Sequence, residues 1–140
     1  MAESLVIVDT CVFIKAFRND LQAKNDLKKI EGNTAYSVIT QLELLIGANT
    51  SNKKDSITKI FETYYGIPVN SVISEVAIQL MLKYISGQKI ISVPDWLIAA
   101  SSLVTGLPLL TYNKKDFDFI DGIQLYWLHS DIGFLNFEKV

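Results

Sequence analysis

The chain has 140 residues, 49% of them apolar and 20% charged, with a net charge of −2. That length sets one domain, residues 1–140, as the expectation, and the composition suits a packed core rather than disorder. The slight negative charge excludes a generic nucleic-acid coat, although a local basic patch can still hold phosphates.

In chain order, the apolar run Leu5 to Val8 reads as a buried strand. Thr10 then caps a helix through about Phe17. Asp20 reads as the N-cap of a second helix, with Leu21, Leu27 and Ile30 on one side and Gly32 as its stop. Thr34 to Val38 is a second strand. Thr40 to Ala48 reads as a helix, and Thr40-Gln41-Leu42-Glu43 has the form of a capping box. Ser51 opens another helix, with Ile57, Ile60, Phe61 and Tyr64 at helical spacing. Gly66 and Pro68 break the pattern. Val72 to Ser86 carries Ile73, Val76, Ala77, Leu80 and Tyr84 on one helical face. Ser92-Val93-Pro94-Asp95 is a helix start, and that helix runs to Gly106. Leu109 to Tyr112 and Gln124 to Leu128 read as strands, the second after a turn at Asp121-Gly122. Phe13, Phe17, Tyr84 and Trp96 are expected in the core. Alternation of strands and helices predicts an α/β fold, a mostly parallel sheet with helices on both faces.

In such sheets ligands gather outside the carboxyl ends of the strands. Asp9 follows the first strand, Glu43 lies one helical turn past the second, and Asp116 follows the strand at 109–112. Asp95 opens the helix before that strand. Each has a plain structural alternative. Asp9 can cap a helix, Glu43 can complete the capping box, Asp95 can favour a helix N-terminus, and Asp116 can sit in a solvated loop. Together they make a different case, because two unit charges roughly 4 Å apart repel by about 4 kcal/mol at an effective dielectric near 20. Four such groups need a cation, and an all-oxygen set selects magnesium or manganese over zinc. The single cysteine, Cys11, and single histidine, His129, also argue against zinc. Cys11 fits a reducing compartment and excludes an intramolecular disulfide. No apolar run nears the roughly 18 residues of a membrane span and no signal-peptide pattern opens the chain, so a soluble, cytoplasmic protein is expected.

The motifs resemble a known family. Val8-Asp9-Thr10-Cys11-Val12-Phe13-Ile14 resembles the opening motif of PIN-domain nucleases, in particular the VapC-type toxins. The stretch from Ser37 to Ala48 resembles their second motif, with Glu43 as its acid. Asp95-Trp96-Leu97-Ile98-Ala99-Ala100 resembles the third, and Leu109 to Phe117 the fourth. The four occur in family order across residues 5 to 128. The resemblance implies a PIN-like three-layer α/β/α sandwich with a central sheet of about five strands. It implies metal-binding acids at Asp9, Glu43, Asp95 and Asp116, with Thr111 and Asn113 supporting the site and Thr10 as a hydroxyl beside the first acid. Cys11 stands where Asn is more usual, and Asp118, two residues past Asp116, is an alternative fourth acid.

The resemblance further implies a Mg2+- or Mn2+-dependent endoribonuclease cleaving single-stranded or looped RNA. It also implies a homodimer inhibited by a VapB-type antitoxin whose tail crosses an apolar groove. Lys114 and Lys115, flanking Asp116, with Lys15, Arg18, Lys53 and Lys54, are candidates for tracking the RNA backbone. A Cys11–His129 hydrolase lacks a third orienting group, and negative charge near Cys11 works against a thiolate. A phosphatase of the haloacid dehalogenase type wants a second Asp where Cys11 stands, and a receiver domain wants a phosphoacceptor Asp that residues 67–71 do not supply. A PIN-like binding module without catalysis is the remaining alternative.

Overall fold

The computed structural model describes residues 4–87 and 90–126. Four strands, β1 (Val6–Val8), β2 (Thr34–Ser37), β3 (Tyr65–Ile67) and β4 (Leu109–Leu110), form one sheet in the order β3-β2-β1-β4. Every pairing is parallel. A parallel bridge from Leu125 to Leu109 adds the start of a fifth position beyond β4. Of the strand expected at 124–128, residues 127 and 128 lie outside the described residues, as does His129.

Six helices among the described residues flank the sheet: α1 (Thr10–Phe17), α2 (Leu21–Lys29), α3 (Val38–Gly47), α4 (Ser51–Phe61), α5 (Ser71–Tyr84) and α6 (Val93–Thr105). Side chains along a strand point alternately to the two faces. Val6, Val8, Tyr36 and Leu110 accordingly pack with Val12, Phe13, Leu44, Ile57 and Phe61. Ile7, Ala35 and Leu109 pack on the opposite side with Ile73, Ala77, Leu80, Trp96 and Ile98. The sheet is thus the middle layer, with α1, α3 and α4 on one face and α5 and α6 on the other.

Several boundaries differ from the sequence expectation, each for a local reason. Thr10 does not cap α1; it is the first helical residue, and the extended Asp9 caps the helix by accepting from the Thr10 amide. The second strand ends at Ser37, whose hydroxyl accepts from the Ile39 amide and starts α3. Thr40 therefore lies inside a helix and the capping box does not form. Thr50 caps α4 and Asn70 caps α5, while Asp20 and Ser92 cap α2 and α6 as expected. Leu21 is 72% exposed, and α2 buries Ala23 and Asp26 instead. Phe17, expected in the core, is 37% exposed. Phe13 and Trp96 are buried, and Tyr84 packs partly buried against the second cluster.

The strand β3 is absent from the sequence reading because Gly66 looks like a breaker. Here Gly66 admits a close neighbour: a Cβ at this position would stand 2.9 Å from the Tyr36 hydroxyl. Tyr36 is buried and packs on Phe61 with ring centroids 4.5 Å apart, so it has little room to retreat. Gly66→Ala is expected to destabilise the fold by about 1 kcal/mol, and by less in a Tyr36→Phe background that removes the nearest atom. Urea unfolding of the two singles and the double reads this coupling.

Candidate active site

The parallel arrangement of β1, β2 and β4 puts their carboxyl ends at one edge of the sheet. Asp9 is the residue after β1 and is 3% exposed. Its two oxygens have different work. Oδ1 accepts from the Thr10 amide at 2.8 Å, which caps α1. Oδ2 accepts from the Thr111 hydroxyl at 2.7 Å and from the Cys11 thiol at 3.4 Å. The helix cap and the site acid are therefore the same side chain.

Glu43 reaches this group through Thr10. The Thr10 hydroxyl donates to Glu43 Oε1 at 2.7 Å and lies 3.0 Å from the Thr40 hydroxyl. Thr40 and Glu43 sit three residues apart on α3, so both face α1. Thr10 thus gives its amide to Asp9 and its hydroxyl to Glu43. Thr40, fully buried, has a different place from the one expected: it supports the site and caps nothing. The three-residue spacing to Glu43 was the available signal for it.

Asp95 lies in the first turn of α6, its amide donating to the Ser92 hydroxyl at 3.3 Å. A helix N-terminus favours a negative charge, yet the Asp95 carboxyl is pushed up from 3.8 to about 6. Burial is the main cause; the charges of Asp9, Asp116 and Glu43 add to it, and the Ser92 contact opposes. Asp9 is raised as well, by burial first and also by Asp116, against the hydrogen bonds from Thr111, Thr10 and Cys11. Asp9, Asp116 and Glu43 therefore all act on Asp95, and Asp116 also acts on Asp9. The ion pairs Lys29–Asp26 and Lys83–Asp121 involve none of them.

Asp116 ends a short 3-10 turn, Lys114–Asp116, and is half-buried, whereas Asp118 is exposed and is not among the charges acting on Asp9 or Asp95. Thr111 is buried and hydrogen-bonds both Asp9 and the Asn113 amide. Asn113 takes part through its main chain; its exposed side chain does not cap the turn that follows. The Cys11 thiol is raised to about 11 by burial and by Asp9, which makes it a poor nucleophile and leaves it a hydrogen-bond donor between Asp9 and Thr111. Lys15, Arg18, Lys53 and Lys115 are exposed, and Lys114 is half-buried. The Lys15 ammonium, on α1, lies 5.3 Å above the Tyr112 ring.

The acids converge without closing. Among the described residues, no group of three or more His, Cys, Asp or Glu side chains is gathered tightly enough to hold a metal ion. Hydroxyl and amide donors take up the oxygens of Asp9 and one oxygen of Glu43. The donor set is nonetheless that of a hard divalent cation: carboxylates with hydroxyl support and no imidazole. Burial, with a smaller part from neighbouring carboxylates, raises Asp9 and Asp95, and a cation at this edge would relieve the repulsion.

Residues 6–123 match the PIN domain family, and the chain belongs to that family. Among curated relatives, Ribonuclease VapC1 of Methanocaldococcus jannaschii is 30% identical over 129 residues, spanning 89% of this chain and 88% of that protein. Ribonuclease VapC10 of Mycobacterium tuberculosis is 27% identical over 122 residues, spanning 86% and 91%. Among solved structures, a toxin–antitoxin complex from Klebsiella pneumoniae superposes with a TM-score of 0.74 at 27% identity, covering 88% of this chain and 99% of that one.

The raised Asp95 carboxyl has a consequence for the metal-free protein. A carboxyl with a higher pKa folded than unfolded binds its proton more tightly in the native state, so it stabilises the fold at low pH. That contribution fades as pH rises from 3.8 to about 6. At pH 7.5 Asp95→Asn is therefore expected to be more stable than wild type, by about 1 kcal/mol once solvent screening is allowed for. At pH 4 the gain should be absent. Thermal melts in EDTA at the two pH values check this.

Proposed function

We propose that this chain is a divalent-metal-dependent endoribonuclease, the toxin of a toxin–antitoxin pair silenced by a VapB-type antitoxin. The observation that carries the reading is the gathering of acids at the carboxyl edge of the sheet: Asp9 on Thr111, Glu43 on Thr10, and Asp95, which burial chiefly and the charges of Asp9, Asp116 and Glu43 in addition push up to about 6. Such a cluster of acids at a strand edge destabilises the chain unless a cation joins it. The names of the two ribonuclease relatives and the toxin–antitoxin neighbour support the activity and its setting.

Asp9 and Asp95 would hold an Mg2+ or Mn2+ ion, and Glu43 and Asp116 would bind it directly or orient water. The bound cation supplies Lewis acidity at the phosphate and a more acidic water. The protein supplies the rest. Thr111 and Thr10 fix Asp9 by its two oxygens' neighbours and Glu43 by one oxygen, so the acids keep their places when charge builds on the phosphate. Lys114, Lys115, Lys15 and Arg18 attract the RNA backbone toward an otherwise acidic edge. Single-stranded or looped RNA suits this open edge, since its phosphates and bases are exposed.

The antitoxin has a surface to occupy. A groove of about 500 Å3 runs between α1, α3 and α4, lined in part by Ile14, Phe17, Leu44 and Ile60, with Arg18 and Lys53 at its walls. Of the apolar residues expected on α4, Phe61 is buried in the core, Ile57 is buried and also lines the groove, and Ile60 faces the groove. Exposed Leu42 and Ile46 on α3, and Ile78 and Leu82 on α5, give apolar surface that a second copy of the chain would cover in a homodimer. Among the described residues no helix is long and apolar enough to cross a membrane, and a cytoplasmic site of action follows from the RNA substrate.

With Mn2+ or Mg2+ the wild type should cleave single-stranded RNA, and EDTA should abolish cleavage. Asp9→Asn and Asp95→Asn should each lower the rate by ~100-fold or more while keeping the native circular dichroism spectrum. Cleavage persisting in EDTA contradicts the metal; hydrolysis of small phosphomonoesters instead of RNA points to a phosphatase; neither activity leaves a binding module. A peptide from the cognate antitoxin should inhibit cleavage, and Ile60→Glu in the groove should weaken that inhibition by ~10-fold or more without lowering uninhibited turnover.

A further inference from the structure

Asp26 is the one buried carboxylate among the described residues that the acidic edge does not use. It sits on α2, 1% exposed, and a buried charge demands partners. Its ion pair with Lys29 is long, 3.9 Å, to a side chain that is 41% exposed. Its short contact is with Tyr112, whose phenol donates to Asp26 Oδ2 at 2.5 Å. The sequence gives no hint of this pairing, which joins residues 86 apart.

Tyr112 stands at a weak point. The strand β4 is two residues long, and its last ladder contact near the site is the Asp9 amide donating to Leu110 at 2.9 Å. Thr111 to Asn113 have left the sheet, yet Thr111 must present its hydroxyl to Asp9, and Asp116 follows three residues further on. Residues outside the ladder hold position only through side chains and local turns. Tyr112 is held on three sides. Asp26 of α2 accepts from its phenol, Lys15 of α1 covers its ring at 5.3 Å, and its main chain hydrogen-bonds the Cys11 thiol.

We propose that Asp26 and Tyr112 form a clamp that positions the loop at 111–113, keeping the Thr111 hydroxyl on Asp9 and the approach to Asp116 fixed. Asp26 and Tyr112 are positioning residues that touch neither metal nor RNA. The catalytic consequence rests on the ribonuclease reading above; the structural part does not.

The experiment uses the full chain and two readouts. In metal-free protein, amide hydrogen exchange at Asn113, whose N–H donates to Thr111, reports the order of the loop. Tyr112→Phe removes the phenol, and Asp26→Leu removes its acceptor without touching the loop. Both are expected to lower Asn113 protection by ~10-fold or more while amides in α5 change less. Asp26→Asn keeps an acceptor for the phenol and should preserve that protection. With Mn2+ and RNA, Tyr112→Phe should lower kcat by ~10-fold with KM for RNA within about twofold, since a displaced Thr111 disturbs the reacting geometry more than binding. Unchanged Asn113 protection in Tyr112→Phe, loss spread equally over the whole chain, or an unchanged kcat would overturn the clamp. A wild type inert toward RNA with either cation would end the ribonuclease reading, and the exchange result would still decide the clamp.

Discussion

The structure turns on a shared carboxylate. Asp9 closes the first strand and opens the first helix, and its two oxygens divide the labour between Thr10 and Thr111. An N-cap is worth about 1 kcal/mol, so the chain gains local stability from a group whose charge is unwelcome in the site. Burial and Asp116 work against that charge, while one amide and two side-chain donors hold it in place. This balance explains why an acid survives in a 3% exposed position at the meeting point of β1, β2 and β4.

From that point outward, the site is a layer of small donors behind a layer of acids. Thr111 fixes Asp9, Thr10 fixes Glu43, and Thr40 lies against Thr10. Each lies on a different segment, so the packing of α1, α3 and the turn after β4 about the sheet edge sets the spacing of the acids. The acids in front repel one another, most visibly at Asp95. The donors resist that repulsion, and the divalent cation proposed for this edge would relieve it. On that proposal, cation binding would be coupled to the stability of the α/β layers behind the site.

The sequence shows the architecture well wherever periodicity is strong. The alternation of elements predicts the parallel sheet with helices on both faces, and α5 and α6 lie within a residue or two of the expected spans because their apolar faces are long. Short elements fare worse. β3 has three residues, contains Gly66 and precedes Pro68, so pattern alone reads it as a break; a neighbouring tyrosine ring explains the glycine. Caps shift by one to three residues for a related reason. Asp9, Ser37 and Thr50 each compete with a second polar residue nearby, and the backbone turn that selects one of them is a tertiary property. Asp9 and Asp116 are visible as residues after strands, Glu43 as one helical turn past a strand and Asp95 as a helix opener, and the topology brings their charges to bear on Asp95. Thr40 is visible only in the wrong role, and Asp26 is invisible, because an aspartate on a polar helix looks solvated until a tyrosine far along the chain covers it.

The account's central claim is that Asp9, Glu43, Asp95 and Asp116 coexist by sharing a divalent cation. Anomalous diffraction from crystals soaked in Mn2+ near neutral pH tests it most directly. The claim predicts a manganese peak at the carboxyl edge of the sheet, bonded to Asp9 and Asp95. Saturating Mn2+ that leaves this edge without a peak, or that binds only at surface carboxylates such as Asp118 or Asp121, would contradict it.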